Sequence, residues 1–94
     1  MRIDRFLFFI RLIKSRTQAQ ALLAEGRTRI DGKRVDKPSE EVAVGSVIAL
    51  PLRGRVRVIR VLCLPARRGP PAEARLAFEE IGEGPPVDGT PAPQ

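Results

Sequence analysis

The sequence predicts an α+β fold, a small single domain in which a helical hairpin packs on a small, mostly antiparallel sheet. Three observations carry that expectation. Apolar residues recur at helical spacing from Ile3 to Leu23. Alternation with period two takes over at Thr28. Turn signals then follow at Asp31-Gly32, Gly45-Ser46 and Arg53-Gly54, punctuating successive strands.

The first helix is expected over Ile3–Ile13. Ile3, Phe6, Phe9, Ile10 and Ile13 share one arc and should face the core, whereas Phe8 and Leu12 lie opposite, beside Arg5. Ser15-Arg16-Thr17-Gln18 has the form of a capping box opening a second helix over Arg16–Glu25. Ala19, Leu22 and Leu23 point inward there, and Gly26 stops the helix in the left-handed conformation. Thr28 and Ile30 occupy one strand face and Arg27 and Arg29 the other; Asp31-Gly32 turns the chain back through Lys33-Arg34-Val35. Val47–Leu50 reads as a strand, and Arg55–Leu64 as the final one, its arginines discouraging edge pairing.

The domain is therefore assigned to residues 1–64. Residues 65–71 read as a linker and 72–81 as a C-terminal helix with an apolar stripe of Ala74, Ala77, Phe78 and Ile81. That stripe is expected to fold over the Phe8/Leu12 patch; otherwise the patch is an open partner site. Glu79-Glu80 becomes an exposed helix face. Residues 82–94, rich in Gly, Pro and acid, are expected to be disordered.

Ninety-four residues carry 17 basic and 11 acidic side chains, a net charge of +6. The charge is concentrated: residues 1–68 hold 16 basic against 6 acidic groups, and residues 69–94 hold 1 against 5. Such a field favours phosphate-rich partners. Histidine is absent and Cys63 is the single cysteine, so an internal disulfide is excluded and a reducing compartment fits. Cys63 is expected to be a buried apolar group. Phe6–Ile13 is too short to span a membrane, which makes a cytoplasmic protein the default. The sequence offers no nucleophile–base pair, metal cluster or phosphate-cradling Gly loop. A binding protein without catalysis, cofactor or small-molecule substrate is expected. Asp4 reads as a helix-start charge or ion-pair partner rather than an acid catalyst.

Phosphates are held by Arg forks, by Lys and by free N–H groups at a helix start. Lys14, Ser15, Arg16 and Thr17 supply all of these at the second helix. Arg27 and Arg29, then Lys33 and Arg34, supply more on the hairpin. Folded beside the helix start, they would form one concave strip suited to structured RNA, with Arg16, Arg27 and Arg29 at its centre.

Arg2-Ile3-Asp4-Arg5-Phe6-Leu7, Ser15-Arg16-Thr17-Gln18-Ala19, Gly26-Arg27-Thr28-Arg29-Ile30-Asp31-Gly32-Lys33 and Val44-Gly45-Ser46-Val47-Ile48 together resemble the S-four RNA-binding domain family, over about residues 1–50. The resemblance implies an αL-type motif and an RNA surface of Arg2, Arg5, Lys14, Ser15, Arg16, Arg27, Arg29, Asp31, Gly32 and Lys33. Phe6-Leu7-Phe8-Phe9 and Arg67-Arg68-Gly69-Pro70 are similar to a ribosome-associated heat-shock branch of that family. This implies binding to large-subunit ribosomal RNA and recycling of stalled large subunits that still carry nascent chain and transfer RNA. A monomer is the expected state. The same domain also accompanies pseudouridine synthases and other RNA-modifying enzymes, so an RNA-positioning role beside a separate enzyme is the second reading. Asp31 stands where the family pattern usually has Asn. An anion there should leave the turn intact and weaken local RNA contact.

Overall fold

The computed structural model describes residues 1–86. Two helices, α1 (Ile3–Phe9) and α2 (Arg16–Ala24), precede four strands, β1 (Arg29–Ile30), β2 (Lys33–Arg34), β3 (Val47–Leu52) and β4 (Arg55–Val61). A short α3 (Pro71–Ala74) and a 3-10 turn (Arg75–Ala77) then lead into β5 (Phe78–Pro86). The strands form one antiparallel sheet in the order β2-β1-β3-β4-β5.

Turn chemistry builds the sheet as expected. Asp31 and Gly32 both adopt positive φ (51° and 84°), as do Arg53 and Gly54 (52° and 81°). Two consecutive left-handed residues match the twist of the strands they join. At the end of α2, Gly26 has φ 76°, and a Cβ there would lie 2.8 Å from Nη2 of Arg34. Glycine therefore serves both the helix stop and the passage of that guanidinium.

The core lies between the helices and the sheet. Ile3, Phe6, Leu7 and Ile10 from the first segment meet Ala19 and Leu23 of α2, and Ile48, Leu50, Ile59 and Val61 of the sheet. Ser15 caps α2, its hydroxyl accepting from the Gln18 N–H at 3.1 Å. Thr28 is buried while Arg27 and Arg29 are exposed, so the strand alternation holds.

Several expectations are corrected. The first helix ends at Phe9, not Ile13, because Arg11 turns left-handed (φ 64°). That turn is held by its Nε donating to the Gly69 carbonyl at 2.6 Å. Leu7 is fully buried and Phe9 only partly, since the inward face is Ile3, Phe6, Leu7 and Ile10, at i, i+3, i+4 and i+7. Residues 72–81 do not form a helix: Pro71 starts a single turn, and from Phe78 the chain is a strand. The edge of β4 decides this, because its unpaired backbone groups are satisfied by β5. Arg57 and Arg60 consequently lie inside the sheet, paired with Glu80 and Glu79, the latter at 2.6 Å. Neither Glu is on a helix face.

The boundary expected after residue 64 does not divide the structure, since β5 completes the same sheet. Residues 82–86 are the end of β5, with its two prolines on an edge strand where a missing N–H is tolerated. The remainder of the expected disordered tail, 87–94, lies outside the described residues. Cys63 is exposed rather than buried, because β4 ends at Val61 and the chain leaves the sheet before it. Phe8 is covered not by the 74–81 stripe but by Arg68. Its guanidinium carbon sits 4.7 Å from the Phe8 ring centroid, and its Nε donates to the Phe8 carbonyl at 3.1 Å. Ala74 and Ala77 are buried, Phe78 packs partly on the core, and Ile81 is exposed. Among the described residues, no helix is long and apolar enough to cross a membrane.

Candidate nucleic-acid interface

The helix start expected to bind phosphate is organised by a carboxylate. Asp4, in the first turn of α1, is fully buried and accepts from four residues. Arg2 donates through Nε to Oδ1 (3.1 Å) and through Nη2 to Oδ2 (3.0 Å). The Arg5 backbone N–H donates to Oδ1 at 2.8 Å, and the Gln20 amide to Oδ2 at 3.1 Å. Arg16 reaches the same Oδ2 with Nη2 at 3.4 Å. Burial pushes the Asp4 carboxyl up, but hydrogen bonds from Gln20, Arg2 and the Arg5 N–H, with the Arg2 charge, outweigh it. The group is held below its usual range.

Two guanidinium groups thus share one carboxylate, leaving a net positive charge at the first residue of α2. Both remain substantially open to solvent, Arg2 at 42% and Arg16 at 40% side-chain exposure. Arg2 is gripped by a bidentate fork, a geometry that fixes its plane. Arg16 has one long contact and a buried Nε with no partner among the described residues. It is the looser of the two and the better placed to turn toward a phosphate. Lys14 and Ser15 precede it directly, the first exposed and the second occupied as the cap. No acidic residue lies in the first turn of α2, so the positive helix end is not offset there. Arg5 is exposed on α1, and only its backbone N–H joins the Asp4 cluster.

The hairpin forms a second group. Arg29 and Lys33 are exposed, and Arg29 Nη1 donates to the Gly32 carbonyl across the turn at 3.0 Å. Arg27 is exposed at the entry to β1. Asp31 is no intruder in this group: its N–H donates to the Val47 carbonyl (2.8 Å), and its Oδ1 accepts from the Val47 N–H (2.9 Å). The side chain completes the pairing of β1 with β3 at the point where the left-handed turn would leave Val47 unpaired. One group lies at the start of α2 and the other on the hairpin that follows its end. Segment 35–42 links them: Val35 N–H donates to the Thr28 carbonyl at 2.8 Å, and Ile3 N–H to the Glu40 carbonyl at 2.7 Å.

Sequence reasoning missed Gln20 and the central place of Asp4. The available signal was an Asp between two arginines at a helix start, facing an Arg and a Gln spaced four apart on the next helix.

A small α+β module carrying paired guanidinium groups beside a helix start, with a basic hairpin at the other end of that helix, defines a polyanion-binding protein. Residues 1–48 match the S4 domain, and the chain belongs to that family of RNA-binding domains. Small ribosomal subunit protein uS4 of Lacticaseibacillus casei (strain BL23) is 51% identical over 49 residues, 52% of this chain and 24% of that protein. Heat shock protein 15 of Escherichia coli (strain K12) is 30% identical over 83 residues, 88% of this chain and 62% of that protein. A trimeric structure of Vibrio cholerae Heat Shock Protein 15 superposes with a TM-score of 0.80 at 28% identity, covering 85% of this chain and 80% of that one. The chain thus spans a quarter of the ribosomal relative's length and under two thirds of the Escherichia coli protein's. The likeness to the heat-shock proteins covers 85–88% of this chain, whereas the S4 match ends within β3.

Proposed function

We propose that the protein binds ribosomal RNA of the large subunit, without catalysis, and acts in the recycling of stalled large subunits in the cytoplasm. The observation that carries the reading is the Asp4 cluster: Arg2 and Arg16 are held by a buried carboxylate yet keep part of each side chain in solvent. Pre-orientation lowers the side-chain entropy lost on binding, and the half-exposed forks match phosphate geometry. Arg5, Lys14, Arg27, Arg29 and Lys33 extend the contact along structured RNA, and Asp31 and Gly32 shape the hairpin that presents them. Similarity to Heat shock protein 15 over most of the chain supports a ribosomal target. A monomer is proposed as the RNA-binding unit. The trimeric Vibrio cholerae structure sets the alternative, which light scattering of the free protein decides.

The test is binding to purified large and small subunits, and to a structured RNA, over a salt series. Preference for the large subunit is expected, with log K falling linearly in log salt. Arg16→Ala and Arg29→Ala should each reduce that slope by about one. Equal binding to both subunits removes the large-subunit assignment. An affinity insensitive to salt and to both substitutions removes RNA phosphate binding itself.

A further inference from the structure

The segment beyond the S4 match builds, with the turn after α1, a second basic concavity that shares only Lys14 with the proposed RNA surface. The turn after α1 faces α3, the 3-10 turn and the start of β5 across a cleft of about 470 Å³, within the roughly 300–1,000 Å³ range of small-ligand sites. Its rim is cationic. Arg11 and Arg68 enter it while donating to backbone carbonyls of Gly69 and Phe8, so their charge is not neutralised. Lys14 and Arg75 make no ion pair among the described residues, and Arg57 is balanced by Glu80. Among the described residues, no carboxylate lines this cleft. Leu12 and the half-buried Phe78 form its apolar wall. Arg57, Arg75 and Phe78 also line an adjoining cleft of about 300 Å³ that ends at Glu80, where an anion is turned away.

Two further observations place this cleft beside the proposed RNA surface. Arg11 holds a left-handed conformation (φ 64°), an unfavourable state for a non-glycine residue, secured by its bond to Gly69. That turn is what places residues 11–14 on the cleft. Lys14 is also the residue immediately before the Ser15–Arg16 helix start, so the cleft is continuous with the proposed RNA surface. A rim of uncompensated cations around an aromatic wall suits an unpaired base with its phosphates. A duplex presents only its backbone, and stacking of bases on aromatic side chains is how single strands are held.

We propose that the cleft between the turn after α1 and the α3–β5 segment is a second RNA site. It takes an unpaired nucleotide, with the base against Phe78 and Leu12 and the phosphates against Lys14 and Arg75. This rests on the RNA-binding reading above and adds a preference for a duplex that continues into a single strand.

The test compares, by fluorescence anisotropy, a blunt RNA hairpin with the same hairpin carrying roughly four unpaired nucleotides at one end or the other. The full chain should bind an extended RNA about 5–100-fold more tightly, the range of one stacked base. Phe78→Leu should remove most of that gain without changing the salt slope. Arg75→Gln, at an exposed position, should lower the slope on the extended RNA by about 0.7. Both variants should bind the blunt hairpin like the parent, whereas Arg16→Ala should weaken both RNAs. Equal affinity of the parent for blunt and extended RNAs overturns the second site and leaves the first standing. Loss by Arg75→Gln of the same factor on both RNAs also overturns it. Failure of the parent to bind either RNA sinks both proposals together. Should Phe78→Leu not fold, Arg75→Gln decides the matter alone.

Discussion

Replacing Asp4 by Asn separates two roles that a buried carboxylate among arginines could have. If the group only offsets charge, Asp4→Asn adds one positive charge at the RNA surface and should tighten binding. If it orients Arg2 and Arg16, binding should weaken despite the added charge. The structure favours orientation, because both oxygens are engaged by several donors and the group is fully buried. An Asn offers one acceptor oxygen and one NH₂ where Asp offers two oxygens. Whichever way the amide turns, its NH₂ faces at least two donors: Arg2 Nε and the Arg5 N–H on one side, or Arg2, Arg16 and Gln20 on the other. Breaking a buried ion pair from one side costs about 3–5 kcal/mol; the half-exposed arginines rehydrate and reduce this to about 2–3 kcal/mol. For a domain of this size that lowers Tm by about 10–20 °C, measurable by circular dichroism.

Freeing two arginines adds about 1–3 kcal/mol of ordering cost to RNA binding. Partly offset by the extra charge, this gives a loss of about fivefold in affinity for structured RNA, measured where the variant is still folded. Tighter binding by a folded Asp4→Asn protein would refute the orienting role. The pH dependence has a definite sign. Asp4 is depressed in the folded state, so its stabilisation is fully present above the ordinary Asp value near 3.8 and is lost as pH falls through the lower folded value. The stability gap between parent and variant should therefore be constant near neutrality and close below about pH 4.

Asp31→Asn should leave stability within about 0.5 kcal/mol, since the amide oxygen can still accept from Val47 and Asn tolerates the left-handed turn. Asp31→Ala should cost about 1–2 kcal/mol by chemical denaturation, losing both features. Arg68→Ala should cost about 1–2 kcal/mol, removing the cation–π contact and the bond to the Phe8 carbonyl; Arg67→Ala, largely exposed, should stay within about 0.5 kcal/mol. Removing residues 66–94 should lower Tm and promote self-association, because β4 would become an open edge. A monomeric truncated protein with unchanged Tm would contradict the pairing of β4 with β5.

Local rules made the first half of the chain legible. The Ser15 cap, the Gly26 stop, the alternation at Thr28 and the Asp31-Gly32 turn each depend on residues within a few positions of one another, and all appear in the structure. Partners far apart in sequence decided the rest. Residues 72–81 have helical propensity, yet the open edge of β4 takes Phe78–Pro86 as a strand and pairs Glu79 and Glu80 with Arg60 and Arg57. The first helix ends early because Arg11 is anchored to Gly69, 58 residues away.

The candidate site divides along the same line. Its basic residues, and the family they belong to, could be read from composition and motif. Asp31 stood against the family pattern until Val47 supplied its partner, and Asp4, read as a helix-start charge or ion-pair partner, is the ion-pair partner of Arg2 and Arg16, with Gln20 converging on it as well. Sequence by itself determined which charges this protein carries and which short segments turn, cap and alternate, since those follow from backbone sterics and local hydrogen bonding. Only the tertiary structure decided which charges are held, which are left open and where the chain finds its last strand. Those outcomes depend on burial and on hydrogen-bond partners that local sequence does not specify.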